Sequence, residues 1–167
     1  PDVDWIVRKP VLESLRELAR RGIPLDVPVR PRHLSNILRV IDAVPGLRIV
    51  IDHIAKPDIA HDGSPGWAES MAAIAKSPNV YCKLSGMITE ADWHNWKPSD
   101  LAPYVDRVIE MFGWDRVLFG SDWPVCLLAG SYTQVWDAMN EALTGIDDEK
   151  RGKVFGANAI EFYRLGI

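Results

Sequence analysis

Asp122 is the first residue whose type and position could do chemistry. It follows the apolar run Val117 to Phe119 and precedes Trp123-Pro124, a pair that favours an extended exit from a strand. A carboxylate at that point could bind a metal or act as a general base toward water. An aspartate that only caps the following turn explains the position equally well.

His53 stands at the end of a second apolar run, Leu47 to Ile51. A neutral imidazole there could bind a metal or hydrogen-bond a substrate carbonyl. For a lone histidine, a ring whose hydrogen bonds are satisfied at a strand end is the more common case. The adjacent Asp52 could orient the ring or accept backbone N–H groups.

Lys83 lies near the end of a third apolar run, Val80 to Leu84, which is followed by Ser85 and Gly86. A lysine at a strand end can place a cation on a carboxylate or on a developing oxyanion. The alternative is a lysine that lies along apolar surface and keeps its ammonium in water. Gly86 predicts a positive φ directly after the strand.

Other candidates carry weaker signals. His33 comes soon after the first apolar run and could reach the same edge, whereas Trp93 and Trp123 lie outside the clearest helices and strands. Tryptophans in long loops either form ligand walls or cover a core edge. The sequence contains no Gly-rich phosphate loop, Cys-x-x-Cys pair, Gly-x-Ser-x-Gly segment, His-Glu-x-x-His helix or His-x-His pair.

The elements that must position these residues alternate between two kinds. Four short apolar runs predict buried parallel strands, and helical stripes lie between them. The order favours an α/β fold with a parallel sheet. Pro24 and Pro28 predict an edge or irregular first strand, because proline cannot donate to a ladder. The predicted strands are Ile23 to Val29, Leu47 to Ile51, Val80 to Leu84 and Val117 to Phe119.

The predicted connections are asymmetric. Helix-to-strand turns are short, whereas the strand-to-helix connections at about 53–65, 83–99 and 120–132 are long. Long irregular loops in a compact domain are usually functional, and ligands sit at the carboxyl ends of parallel strands. We therefore expect one site at that edge.

Composition narrows the classes. The chain has 167 residues, 47% of them hydrophobic, and a net charge of −4, which predicts one domain over 1–167. The absence of a basic run disfavours nucleic acid and anionic membranes, and there is no membrane-spanning apolar run or signal-peptide pattern. The two cysteines suit a reducing cytoplasm. Pro1 in place of Met suggests a fragment or a processed product.

Taken together, three ordered motifs resemble the amidohydrolase-related family, in its branch of sugar-lactone hydrolases such as the L-fuconolactonases and L-rhamnonolactonases. They are DHIAKP at 52–57, NVYCKLSG at 79–86 and FGSDWPVC at 119–126. The resemblance runs the whole length of the chain. It implies a (β/α)8 TIM barrel, a fold of about 250 residues, of which this chain would hold the C-terminal half, strands five to eight. The family's first-strand His-x-His pair would then lie outside it.

The resemblance also implies roles for residues. Asp122 would activate water for attack on a lactone carbonyl polarised by His53, by a metal or by the absent histidines, and would then protonate the leaving ring oxygen. Lys83, Lys56 and Trp123 would hold sugar hydroxyls or the nascent carboxylate, and Trp93 and His33 complete the substrate-binding set. Some relatives work without metal and others hold one divalent ion, commonly zinc. His53 and Asp122 are two ligand candidates, fewer than the usual three.

Two alternatives stay open. The same superfamily contains decarboxylases of aromatic or muconate-type acids and a pyrone-dicarboxylate lactonase, which would need cations around the substrate carboxylates. The other alternative is a catalytically silent barrel fragment, because unpaired edges of a half barrel invite pairing with another chain. Such a fragment would be inactive as a monomer and prone to form homo-oligomers through those edges.

Overall fold

The computed structural model describes residues 2–167, and its sheet has four parallel strands in chain order. The strands register so that Val27, Ile51, Cys82 and Val117 form one row across the sheet. The predicted parallel sheet is therefore present. The strands are β1 (Leu25–Val27), β2 (Ile49–Ile51), β3 (Val80–Leu84) and β4 (Val117–Phe119).

Helices separate the strands, as the alternating pattern predicts. A π-helical turn, Lys153–Ala157, connects the last two helices. The helices are α1 (Lys9–Arg21), α2 (Leu34–Ala43), α3 (Trp67–Ala75), α4 (Pro98–Phe112), α5 (Tyr132–Ala142), α6 (Asp148–Gly152) and α7 (Asn158–Tyr163). No helix within residues 2–167 is both long enough and apolar enough to cross a membrane.

Strand β1 is shorter than the sequence predicts. It begins after Pro24 and ends before Pro28, so that the two prolines bracket it. Leu25 N–H donates to Arg48 O at 2.9 Å, whereas a proline has no N–H to give. Among the described residues β1 is an edge strand, in agreement with the expectation.

The two faces of the sheet differ because successive side chains point to opposite sides. The row from Val27 to Val117 is at most 1% exposed and packs under the helices in the main core. The opposite face, here called the Asp26 face, carries Asp26, Val50, Tyr81, Lys83 and Leu118. This face is mixed, with Val50 and Leu118 apolar and with Asp26 and Lys83 charged.

Helix α7 covers part of the Asp26 face. Phe162 packs against Val50 and Leu118, and its ring centroid lies 4.6 Å from that of Tyr81. Arg48 fixes this helix end by donating to the Phe162 and Gly22 carbonyls. The remaining part of the face, around Lys83, stays accessible beside the loops that leave β2, β3 and β4.

Candidate active site

His53 follows β2 on unusual backbone. The four consecutive residues from His53 to Lys56 have φ values of 54°, 47°, 61° and 52°, in the left-handed region that non-glycine residues rarely adopt. The β3–α4 loop comes close at Gly86, where an added Cβ would lie 2.8 Å from the His53 Cβ. Gly86 itself has a φ of 60°, as predicted, and so serves both the turn and the close approach.

Asp122 faces this histidine from the loop after β4. Its backbone also has a positive φ, 57°, and Asp122 Oδ1 lies 3.5 Å from His53 Nε2. Among the described atoms, Asp122 Oδ2 is buried without a hydrogen-bond partner. A buried acceptor without a partner is costly unless something else satisfies it, such as a proton, a water molecule, a cation or a ligand.

The other ring nitrogen of His53 contacts the end of β3. His53 Nδ1 lies 2.8 Å from Ser85 Oγ, and Ser85 is buried. Burial lowers the pKa of His53 below its ordinary value, an effect that Asp122 opposes and Lys56 reinforces. The ring is therefore held neutral over a wider pH range than that of a free histidine.

Lys83 is held by carboxylates. Its Nζ lies 2.7 Å from Asp26 Oδ2 and 2.7 Å from Asp52 Oδ1. Burial alone would lower the pKa of Lys83, but the contacts with the two aspartates outweigh burial and raise it. Tyr163 donates to the same Asp26 oxygen at 2.6 Å, and burial with this bond raises the pKa of Tyr163 to about 12. Lys83 is thus a protonated side chain that connects Asp26 to Asp52.

Asp52 therefore has a different partner from the one considered in the sequence analysis. Its carboxylate contacts Lys83, and Ser85 is the residue at His53 Nδ1. The backbone turns into left-handed conformation directly after Asp52, which separates the directions of the two neighbouring side chains.

A second charged group lies on the neighbouring loops. Glu90 accepts from Lys56 Nζ at 3.2 Å and from Arg30 at 3.0 Å, and its side chain is only 12% exposed. His33 is buried, and its Nδ1 accepts the Arg30 backbone N–H at 3.0 Å. Lys56, Glu90 and Arg30 thus form one charged network, and the hydrogen bond of His33 lies within the loop after β1.

The two predicted tryptophans differ in position. Trp123 is 64% exposed and directly follows Asp122 in the chain. Trp93 is exposed on the β3–α4 loop, where its indole N–H donates to Thr89 O at 2.8 Å. The contacts of Trp93 thus connect it to its own loop rather than to His53 or Asp122.

His53 and Asp122 could both contribute to a metal site. His53 Nε2 and Asp122 are of suitable types, and the unpartnered Asp122 Oδ2 is an atom that a cation would satisfy. Within residues 2–167, however, no group of three or more His, Cys, Asp or Glu side chains is placed to hold an ion. Within residues 2–167, His53 and Asp122 do not form a complete metal site by themselves.

Sequence reasoning missed the roles of Ser85, Glu90, Asp26 and Tyr163. Ser85 lies within the motif at 79–86, but the sequence does not indicate which histidine nitrogen its hydroxyl contacts. Tyr163 and Asp26 are 137 positions apart in the chain, and no local sequence pattern predicts their hydrogen bond.

Known proteins resemble this chain over nearly its full length. An L-fucono-1,5-lactonase of Burkholderia ambifaria is 43% identical over 171 residues, covering 98% of this chain and 58% of that protein. An L-rhamnono-gamma-lactonase of Scheffersomyces stipitis is 29% identical, with 92% of this chain and 53% of that protein covered. The chain therefore spans somewhat more than half the length of these relatives.

Solved structures also resemble this chain over nearly its full length. The crystal structure of an amidohydrolase from Burkholderia multivorans with bound zinc superimposes with a TM-score of 0.92 at 29% identity, covering 98% of this chain and 60% of that one. The amidohydrolase family model matches residues 1–165. Since the match takes in all four strands and the loops that carry His53, Ser85 and Asp122, this chain belongs to the amidohydrolase family.

Proposed function

We propose that this chain is part of a hydrolase that opens a sugar-derived lactone, with Asp122 as the general base and His53 as its partner. The observation that carries the proposal is the contact of 3.5 Å between His53 Nε2 and Asp122 Oδ1 at the carboxyl edge of the strands. The lactonases among the relatives support this substrate class.

The reaction follows from the two side chains. Asp122 takes a proton from water, and the resulting hydroxide forms a bond to the lactone carbonyl carbon. His53 hydrogen-bonds the carbonyl oxygen as it gains negative charge. Collapse of the tetrahedral intermediate breaks the bond to the ring oxygen, and Asp122 returns its proton to that oxygen. One water is consumed, and the product is a hydroxy acid.

The charge balance around the pair favours a neutral substrate. Lys83 is neutralised by Asp26 and Asp52, and Lys56 shares Glu90 with Arg30. Decarboxylases of aromatic acids and pyrone-dicarboxylate hydrolases would need cations free to pair with substrate carboxylates. Paired groups such as Lys56 and Glu90 instead offer donors and acceptors to sugar hydroxyls, and Trp123 offers an apolar face to a ring.

We further propose that the four strands are strands five to eight of a (β/α)8 barrel. Four parallel strands in chain order, with coverage of 58% to 60% of the relatives, support this assignment. The opposite wall of the site, including any further metal ligands, would then come from residues outside this chain. On this basis the 167-residue chain alone has negligible lactonase activity.

The test is an assay of the complete protein for two kinds of product. Purified protein is incubated with L-fucono-1,5-lactone, with L-rhamnono-gamma-lactone and with aromatic and pyrone carboxylic acids, while acid release and CO2 release are followed. We expect acid release from a sugar lactone and no CO2. Decarboxylation, or hydrolysis confined to the pyrone acid, would contradict the proposal.

A further inference from the structure

Ser85 is placed to control the state of the His53 ring. It is 1% exposed and directly follows β3, and its Oγ lies 2.8 Å from His53 Nδ1. The neighbouring strand end confines it, because a Cβ on Gly120 would lie 3.1 Å from the Ser85 Cβ. Ser85 is therefore closely packed, with its hydroxyl against the ring.

The surroundings of His53 Nε2 determine whether Ser85 donates or accepts in its hydrogen bond with His53 Nδ1. His53 Nε2 faces Asp122 Oδ1 at 3.5 Å, and an ionised carboxylate can only accept. The proton of the neutral ring is therefore favoured on Nε2, which leaves a lone pair on Nδ1. A serine hydroxyl can donate to that lone pair.

Other polar side chains around the ring are engaged elsewhere. Asp52 contacts Lys83, and Lys56 donates to Glu90. Gly86 leaves no space for a further group, since even a methyl there would collide with the ring. Ser85 is thus the side chain that the structure offers to His53 Nδ1.

We propose that Ser85 is a positioning residue that donates to His53 Nδ1 and so keeps the ring in the tautomer with its proton on Nε2. The consequence for the reaction rests on the proposed function. In that reaction the Nε2 proton is the one that points toward the lactone carbonyl and stabilises the oxyanion. Loss of the Ser85 hydroxyl lets the proton move to Nδ1, where it cannot serve.

The tautomer can be measured on this chain without turnover. Nitrogen NMR of histidine-labelled protein distinguishes protonated from unprotonated ring nitrogens, and the chain has only four histidines. A His53→Gln sample identifies the His53 signals. At a pH above the ordinary histidine value, we expect wild-type His53 to show a protonated Nε2 and an unprotonated Nδ1.

Removal of the hydroxyl is the decisive comparison. Ser85→Ala should shift the ratio of the two tautomers toward Nδ1–H by about fivefold, the equilibrium factor of one ordinary hydrogen bond. Ser85→Cys keeps the volume and weakens the donor, so it should shift the ratio in the same direction and serves if the alanine variant does not fold. Unchanged His53 nitrogens in the folded variants would overturn the proposal.

Thr89→Val is the matched control. Thr89 donates to Gly86 O at 3.0 Å on the same loop, and its hydroxyl is not bonded to the His53 ring. We expect no change of tautomer in this variant. An equal shift in Thr89→Val and Ser85→Ala would mean general loosening of the loop and would also overturn the proposal. Since no substrate is involved, failure of the lactone assay would leave this result standing.

Discussion

His53 and Asp122 both project from backbone with positive φ, 54° and 57°. Such conformations cost about 1–3 kcal/mol each and persist only where the surrounding structure enforces them. Neither position is a glycine or asparagine, so nothing in the sequence marks the strain. The sequence indicated the two side chains by their place after apolar runs, whereas the backbone and the Ser85 contact became evident only in three dimensions.

A methyl group at Gly86 tests the close approach to His53. In Gly86→Ala the new Cβ would lie 2.8 Å from the ring, whereas at Gly113, with a φ of 72°, nothing lies within 4 Å. Both variants incur backbone strain, and Gly86→Ala adds a collision of about 1–3 kcal/mol. Urea unfolding should therefore show Gly86→Ala to be less stable than Gly113→Ala by that amount. Equal stabilities would show that the loop yields freely.

His33 makes stability depend on pH. Burial, followed by the charge of Arg32, lowers the pKa of His33, so the folded chain resists a proton that the unfolded chain binds below about pH 6.5. The contribution of the neutral ring is thus complete above that pH and is lost as pH falls toward the lowered folded value. His33→Asn keeps an acceptor for Arg30 N–H and removes the titration. Its unfolding free energy should fall less than that of wild type between about pH 7.5 and pH 5.5. Parallel losses would contradict this role.

At the scale of elements, the sequence predicted the sheet better than the end of the chain. The bounds of β3 and β4 match the apolar runs, and β1 is shortened by its two prolines. The end of the chain contains α6, a π-helical turn and α7, and helical periodicity alone does not predict the π-helical interruption. The contact of α7 with the Asp26 face joins distant parts of the chain, and helical periodicity cannot predict such a contact.

Phe162 tests whether α7 stabilises the Asp26 face. It is 2% exposed and packs against Val50, Leu118 and Tyr81. Phe162→Ala should lower the free energy of unfolding by about 3–5 kcal/mol, the usual cost of removing a buried phenylalanine. Leu165→Ala, at a site 47% exposed just beyond the same helix, should cost under about 0.5 kcal/mol. Similar small effects in chemical denaturation would mean that α7 does not pack stably there.

At the scale of the whole molecule, the chain leaves two strand edges and an apolar surface uncovered. Among the described residues β1 and β4 are edge strands, and the segment 123–136 beyond β4 exposes Trp123, Leu127, Leu128 and Tyr132. Unpaired edges and exposed apolar surface both favour association. The proposed half barrel would use this region to complete the fold.

We therefore expect the isolated chain to self-associate. Sedimentation over a wide concentration range should show species larger than the monomer, and Leu127→Lys with Leu128→Lys should reduce them by placing two charges on the surface. Leu165→Lys, an exposed leucine remote from that segment in the chain, is the matched control and should change little. A strictly monomeric wild-type chain at every concentration would contradict the prediction.

The measurement that bears most directly on the proposed reaction is the activity of Asp122→Asn in the complete protein. Asparagine tolerates the left-handed backbone at this position, where φ is 57°, but cannot take a proton from water. Asp62→Asn is the control, because Asp62 has a φ of 60° and lies on the exposed loop after β2. We predict that Asp122→Asn folds normally and lowers kcat for lactone opening by about 10²–10⁴-fold, while Asp62→Asn retains wild-type turnover. Near-normal kcat in Asp122→Asn would contradict the role of Asp122 as the general base.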